Sequence, residues 1–151
     1  MQIIRNKHVV EDVWTTLNER APLPEEGDII VPLERWREER AALKSHRGRI
    51  GVQLASTDDV WTLKEGLDAL SLVVVSFPKY ADGRGYSQAW ILRSHLNFSG
   101  DVRAVGDVLR DQLHHMSRCG INEFVLRADK DISDALKAFA TYGFSYQPSL
   151  A

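Results

Sequence analysis

The chain is poor in cysteine: Cys119 is the only one in 151 residues. That excludes an internal disulfide framework, and any zinc or iron–sulfur site built from this chain's thiolates alone, because both need several cysteines. A reducing compartment is the expected home. Long apolar runs are also missing. The longest, around Leu72 and Val75, is far short of a membrane span, and the opening MQIIRNKHVVEDVW has no apolar stretch of signal-peptide length. A soluble, cytoplasmic protein is expected. Nor does one sign of charge dominate. Nineteen basic against 21 acidic residues leave a formal charge of −2, so the whole chain has no pull toward nucleic acid or an anionic membrane. What is present is an ordinary globular balance, 44% hydrophobic and 26% charged, which argues against disorder, low complexity and coiled coil. A chain of this length buries about two thirds of the surface its unfolded form exposes, enough for one core.

Ile3, Ile4, Val9 and Val10 flank the polar pair Asn6-Lys7, which predicts a small N-terminal β hairpin. Residues 1–20 read as this hairpin appendage. Residues 21–28 (APLPEEGD), with two prolines and a glycine, read as a connector. From residue 29 to 151 short apolar runs alternate with longer stretches of helical period. Ile29 to Val31 precedes ERWREERAALKS; Ile50 to Leu54 precedes STDDVWTLKEGLDAL, with Val60, Leu63, Leu67 and Leu70 as a buried stripe. Leu72 to Phe77 is a continuous β-rich run of the kind buried on both faces, and a helix follows it from Ser87 to Leu96. Val102 to Val105 leads into DVLRDQLHHMSRCG and Phe124 to Leu126 into DISDALKAFATYG, with Gly120 and Gly143 as stops.

The expected fold class is therefore α/β, a single domain of five strand-helix units with a largely parallel sheet, preceded by the hairpin. Five units are too few for a closed barrel of about 250 residues, which leaves an open three-layer sheet or a half-barrel-like curl. In either, ligands bind at the strand carboxyl ends.

The longest loop at that end is residues 78–87, PKYADGRGYS, longer than the usual strand-to-helix connection. Gly83 and Gly85 bracket Arg84 just before a helix, so converging N–H groups, the helix N-terminus and the guanidinium suit an anion such as phosphate, sulfate or carboxylate. Lys79 is a second candidate cation, Ser87 a further donor and Arg127, ending the last strand, an addition to the anion pocket. Asp82 and Asp107 are candidate general bases and Tyr86 a candidate acid or donor. Each has a plainer reading: Asp82-Gly83 as a turn, Tyr86 as an aromatic lid, Arg84 as a solvated side chain, Asp107 as a helix N-cap. Asp58 and Asp59 read as caps. His114 and His115, about 100° apart on one helix, do not chelate one metal from one face. Cys119 reads as core, and Trp36, Trp61 and Trp90 as packing residues rather than a nucleic-acid stacking platform.

The segments FPK, DGRGYS and GDVLRDQL, within Phe77 to Arg127, resemble the bacterial domain-of-unknown-function family nine-three-four, described as a probable oxidoreductase involved in sulfite reduction. The resemblance implies a context, since members are typically encoded beside the sulfite reductase haemoprotein and the sulfonucleotide reductase of sulfate assimilation. It brings no catalytic residues with it. No flavin, nicotinamide, haem or iron–sulfur signature accompanies the segments, and a redox enzyme needs such a carrier. The expectation is thus an accessory or electron-delivery partner of sulfite reductase or its electron donor, with no cofactor of its own. The rivals are a small-molecule enzyme acting on an anionic, possibly sulfur-containing substrate, and a structural domain whose loop shapes a homo-oligomer interface.

Overall fold

The computed structural model describes residues 1–78, 83–127 and 131–141. Within them, β1 (Gln2–Arg5), β2 (His8–Glu11), β3 (Thr15–Thr16), β4 (Ile29–Pro32), β5 (Ile50–Leu54), β6 (Leu72–Phe77), β7 (Asp101–Gly106) and β8 (Glu123–Phe124) form one sheet. Its order is β2-β1-β8-β7-β6-β5-β4-β3. Every neighbouring pair from β3 to β8 is parallel. β1 pairs antiparallel with both β2 and β8. The hairpin turn falls at Asn6 and Lys7, with φ of 51° and 69°, the pair of positive angles that a two-residue turn between twisted strands requires.

Between the strands lie α1 (Leu33–Glu38) and α2 (Arg40–Lys44), two 3-10 turns (Val60–Leu63 and Leu67–Ala69), α3 (Arg84–Ser94) and a third 3-10 turn (Arg110–Gln112) running into α4 (Leu113–Arg118); α5 (Ile132–Thr141) follows β8. Because the parallel strands follow one another in chain order, right-handed crossovers place all these helical segments on one face. Alternation along the strands sends Val31, Val52, Leu54, Val73, Val75 and Val102 to that face. There they pack with Trp36, Leu63, Leu92, Leu113 and Met116 in the main core. A three-layer sheet, with helices on both faces, is not what forms; the sheet is a curled half-barrel.

Two expectations change at the level of elements. Residues 56–70 do not form an α-helix: Gly66, with φ of 84°, separates the two 3-10 turns, and the predicted stripe of Val60, Leu63, Leu67 and Leu70 is buried all the same. The helix expected directly after β7 begins only at Arg110, with Leu109 at its N-cap position, so Asp107 is not its cap.

The connection between the two sheet edges explains the curl. β2 and β3 are opposite edges, yet only Asp12, Val13 and Trp14 separate them. Four Cα steps reach at most about 15 Å, whereas eight strands laid flat are roughly 33 Å wide. The edges must therefore be drawn together, with these three residues strapped across the concave face. Trp14 packs there against the cluster of Ile30, Leu72 and Val74, and the Arg49 guanidinium lies 4.7 Å from its ring centroid, close enough for cation–π attraction.

Candidate functional site at the strand carboxyl ends

An open cleft of about 620 Å³ lies where β4 to β7 end. Gln53, Ser76 and Val105 line it from the concave face. Gly106 closes the end of β7, Ala55, Ser56, Asp58 and Pro78 come from the loops, and the exposed Glu19 and Glu34 add to the wall. Among the described residues, every charged side chain in this lining is a carboxylate. The loop after β5 is held rigidly: the Asp58 carboxylate accepts the Ala55 N–H at 2.7 Å. From α3, the buried Gln88 amide donates to the Ala55 and Asp58 carbonyls, both at 3.0 Å. Asp59 accepts the Trp61 N–H at 3.0 Å and so caps the following 3-10 turn, as its position predicts.

Lys79 and Asp82 lie outside the described residues. Of the remaining candidates, Gly83, Arg84, Gly85, Tyr86 and Ser87 make up the N-terminal turn of α3. Both glycines have a steric reason to be there. Gly83 has φ of 87°, in the left-handed region that favours glycine. A Cβ on Gly85 would stand 2.7 Å from the Phe77 ring, so the helix start can seat on β6 only without a side chain. Arg84 and Ser87 are exposed. Tyr86 packs edge-on to Phe77 at 5.0 Å and against His115 at 4.5 Å between ring centroids. Burial, and then the nearby Cys119, push its phenol above the ordinary value, so it keeps its proton at neutral pH.

Asp107 and Arg127 come together from the ends of β7 and β8: the guanidinium donates to the carboxylate at 2.9 Å. The two side chains form a partly exposed ion pair at the strand ends. Gly106, just before it, has φ of 98°. A Cβ at that position would collide with the Phe77 carbonyl oxygen, and that same oxygen accepts the Asp107 N–H at 2.6 Å. The carboxyl ends of β6 and β7 are thus locked by a glycine that leaves no room for a side chain.

The structure brings forward a second group of polar residues that sequence patterning had passed over. Arg103 points into the concave face, 3% exposed. It donates to Glu123 at 2.8 Å and to Asp12 at 3.0 Å. Arg5 bridges Glu123 and Asp101 at 3.2 Å to each. An arginine and a glutamate inside otherwise apolar strands, VRAV and NEFV, were the available signal. Trp61 and Trp90, expected to be packing residues, are instead 46% and 49% exposed and flank His95 at 5.6 and 4.8 Å. Among the described residues no cluster of three metal-ligating side chains occurs, and no helix is long and apolar enough to cross a membrane.

The family described as bacterial protein of unknown function, DUF934, matches residues 51–151, from β5 to the end of the chain. The chain belongs to this family. In this DUF934 member the match takes in the Gln53, Asp58, Ser76 and Val105 side of the cleft, while Glu19 and Glu34 precede it. No curated protein matches the chain.

Proposed function

We propose that the chain is an accessory or electron-delivery partner in assimilatory sulfite reduction, meeting the reductase or its electron donor at the carboxyl ends of its parallel strands. The observation that carries this reading is the open cleft, whose charged lining among the described residues is Glu19, Glu34 and Asp58. A concave acidic surface is complementary to a basic one, and such complementarity governs the rate and orientation of encounter more than raw affinity. It suits small, short-lived contacts of the electron-transfer kind. The sulfite-reduction context comes from the resemblance of Phe77 to Arg127. The exposed Trp61 and Trp90 supply a second contact surface of the residue type enriched at binding hot spots.

Pull-down of the tagged protein from an extract of sulfate-grown cells tests this. Wild type should recover sulfite reductase or its donor in a salt-sensitive manner, and the Glu19→Lys/Glu34→Lys variant should not. Recovery of neither protein by wild type would remove the stable-partner form of the idea.

Two arginines at the same strand ends but outside the described lining of the cleft, Arg84 opening α3 and Arg127 beyond β8, support a second reading. In it the chain acts on an anionic, possibly sulfur-containing molecule, with Arg84 and Arg127 as clamps and Tyr86 as proton donor. An Arg84→Ala variant that loses a reaction while keeping its partner would favour this reading; loss of the partner would favour the first.

A further inference from the structure

The acidic wall of the cleft is assembled from two separate stretches of chain, and one buried cation joins them. Pro32, Leu33 and Glu34, where β4 runs into α1, line the cleft directly, and Glu19 reaches it from the loop after β3. Like charges repel, so a loop at liberty to move would carry Glu19 away from Glu34. Several hydrogen bonds hold it. The Leu17 N–H donates to the Ile30 carbonyl of β4 at 2.8 Å. The Asn18 side-chain oxygen accepts the Arg20 and Ala21 N–H groups at 2.8 and 2.7 Å, a turn closed around Glu19. The Asn18 main-chain carbonyl accepts from Arg35 Nη1 at 2.8 Å, and Arg35 Nε donates to Glu39 at 2.9 Å.

We propose that Arg35 is a positioning residue: its guanidinium, spanning Asn18 and Glu39, holds Glu19 on the wall that Glu34 also lines, so that the cleft meets a basic segment of its partner as one preformed acidic site. The assignment rests on the cleft being the contact surface, and it names the residue that shapes that surface. Arg35 is 6% exposed. Arg37, on the same helix, is by contrast half-exposed and 3.9 Å from Glu34, a surface pair of little worth. The two donors of Arg35 are aimed at separate acceptors, which the planar fork of a guanidinium can satisfy together and the single ammonium of a lysine cannot. Because one acceptor is a main-chain carbonyl, the bond fixes the path of the loop rather than one side chain. The ordering of Glu19 is then complete on folding and adds nothing to the cost of association.

The test is titration of the full chain with hexalysine at about 20 mM salt, where exposed charges are weakly screened, followed through amide resonances. In otherwise wild-type protein, Glu19→Gln and Glu34→Gln should each weaken binding about threefold. In Arg35→Lys, which keeps the charge and loses the fork, Glu34→Gln should still weaken it about threefold, whereas Glu19→Gln should matter by less than about 1.5-fold. An arginine with a merely structural role would leave both losses as they were. Equal losses in the two backgrounds, or wild-type protein that does not bind hexalysine at Glu19 and Glu34, would overturn the proposal. Selective loss at Glu19 supports it even where neither sulfite reductase nor its donor binds, a result that would remove only the identity given to the partner. Should Arg35→Lys fold poorly, wild-type relaxation measurements decide. A Glu19 amide as rigid as that of Val52 in β5, with a slowly exchanging Arg35 Nε–H, supports the clamp; a more mobile Glu19, or an Nε–H exchanging as in free arginine, overturns it.

Discussion

Replacing Gly106 by alanine separates two costs that the structure assigns to different glycines. At Gly83 the φ is 87° and an added Cβ meets nothing closer than a Tyr86 ring carbon at 3.9 Å. Gly83→Ala should therefore cost only the left-handed backbone, about 1–2 kcal/mol, partly offset by about 0.4–1 kcal/mol from a less flexible unfolded chain. At Gly106 the φ is 98°, and the Cβ collides with the Phe77 carbonyl oxygen and approaches its carbon to 3.0 Å. Neither atom can rotate away, because both belong to the backbone of β6 where it pairs with β7. Overpacking then adds about 1–3 kcal/mol, for a total near 3 kcal/mol and a gap of about 2 kcal/mol between the variants. For a domain of this length that gap is roughly 4–8 °C in Tm. Urea denaturation at constant m-value, with parallel thermal melts, measures it. Equal losses in the two variants, or a Gly106→Ala loss below about 1 kcal/mol, would refute the claim that close approach of the β6 backbone sets that position.

Arg103→Ala leaves Glu123 and Asp12 without their shared partner inside the curl, so denaturation should show a loss of about 3 kcal/mol. The half-exposed Arg5 should cost about 1 kcal/mol or less when replaced by alanine. Cys119 is half-buried, and burial raises its thiol above the ordinary value against the pull of Arg118. Its reaction with a thiol reagent at neutral pH should thus be slower than that of free cysteine and should reach the free rate only in denaturant. Asp28 is held below the ordinary aspartate value, first by the Arg49 side-chain hydrogen bond. Its contribution is present above that ordinary value and is lost as pH falls through the lowered one. Acid titration of stability should accordingly be shallower in Asp28→Asn than in wild type.

The parallel strands were legible because short apolar runs such as Ile29–Val31 and Leu72–Phe77 alternate with stretches of helical period, whereas their order in the sheet was not, since apolar runs do not say which strands are neighbours. The hairpin was legible from Asn6-Lys7. The choice of half-barrel over a three-layer sheet was not, since it is set by the three-residue link between opposite edges, and a two-residue strand such as β3 leaves no periodic trace. The 3-10 turns at residues 60–69 keep the buried spacing of a helix, so apolar periodicity could not distinguish them; the signal was Gly66 in mid-stripe. At the site, GRG read as an anion cradle, yet Gly83 and Gly85 each have a local steric role. Asp107 and Arg127 were each picked out singly, but their pairing depends on β7 and β8 being neighbours. Arg103 and Glu123 were missed because a charged residue facing inward is invisible until the sheet has an inside.

The most direct test of the central claim is the affinity of the purified protein for purified sulfite reductase and for its electron donor, measured at low and at physiological salt for wild type and Glu19→Lys/Glu34→Lys. The account predicts binding to one of the two that weakens with salt and falls at least about tenfold in the variant. No binding to either, or binding that ignores both salt and the reversed charges, would contradict it.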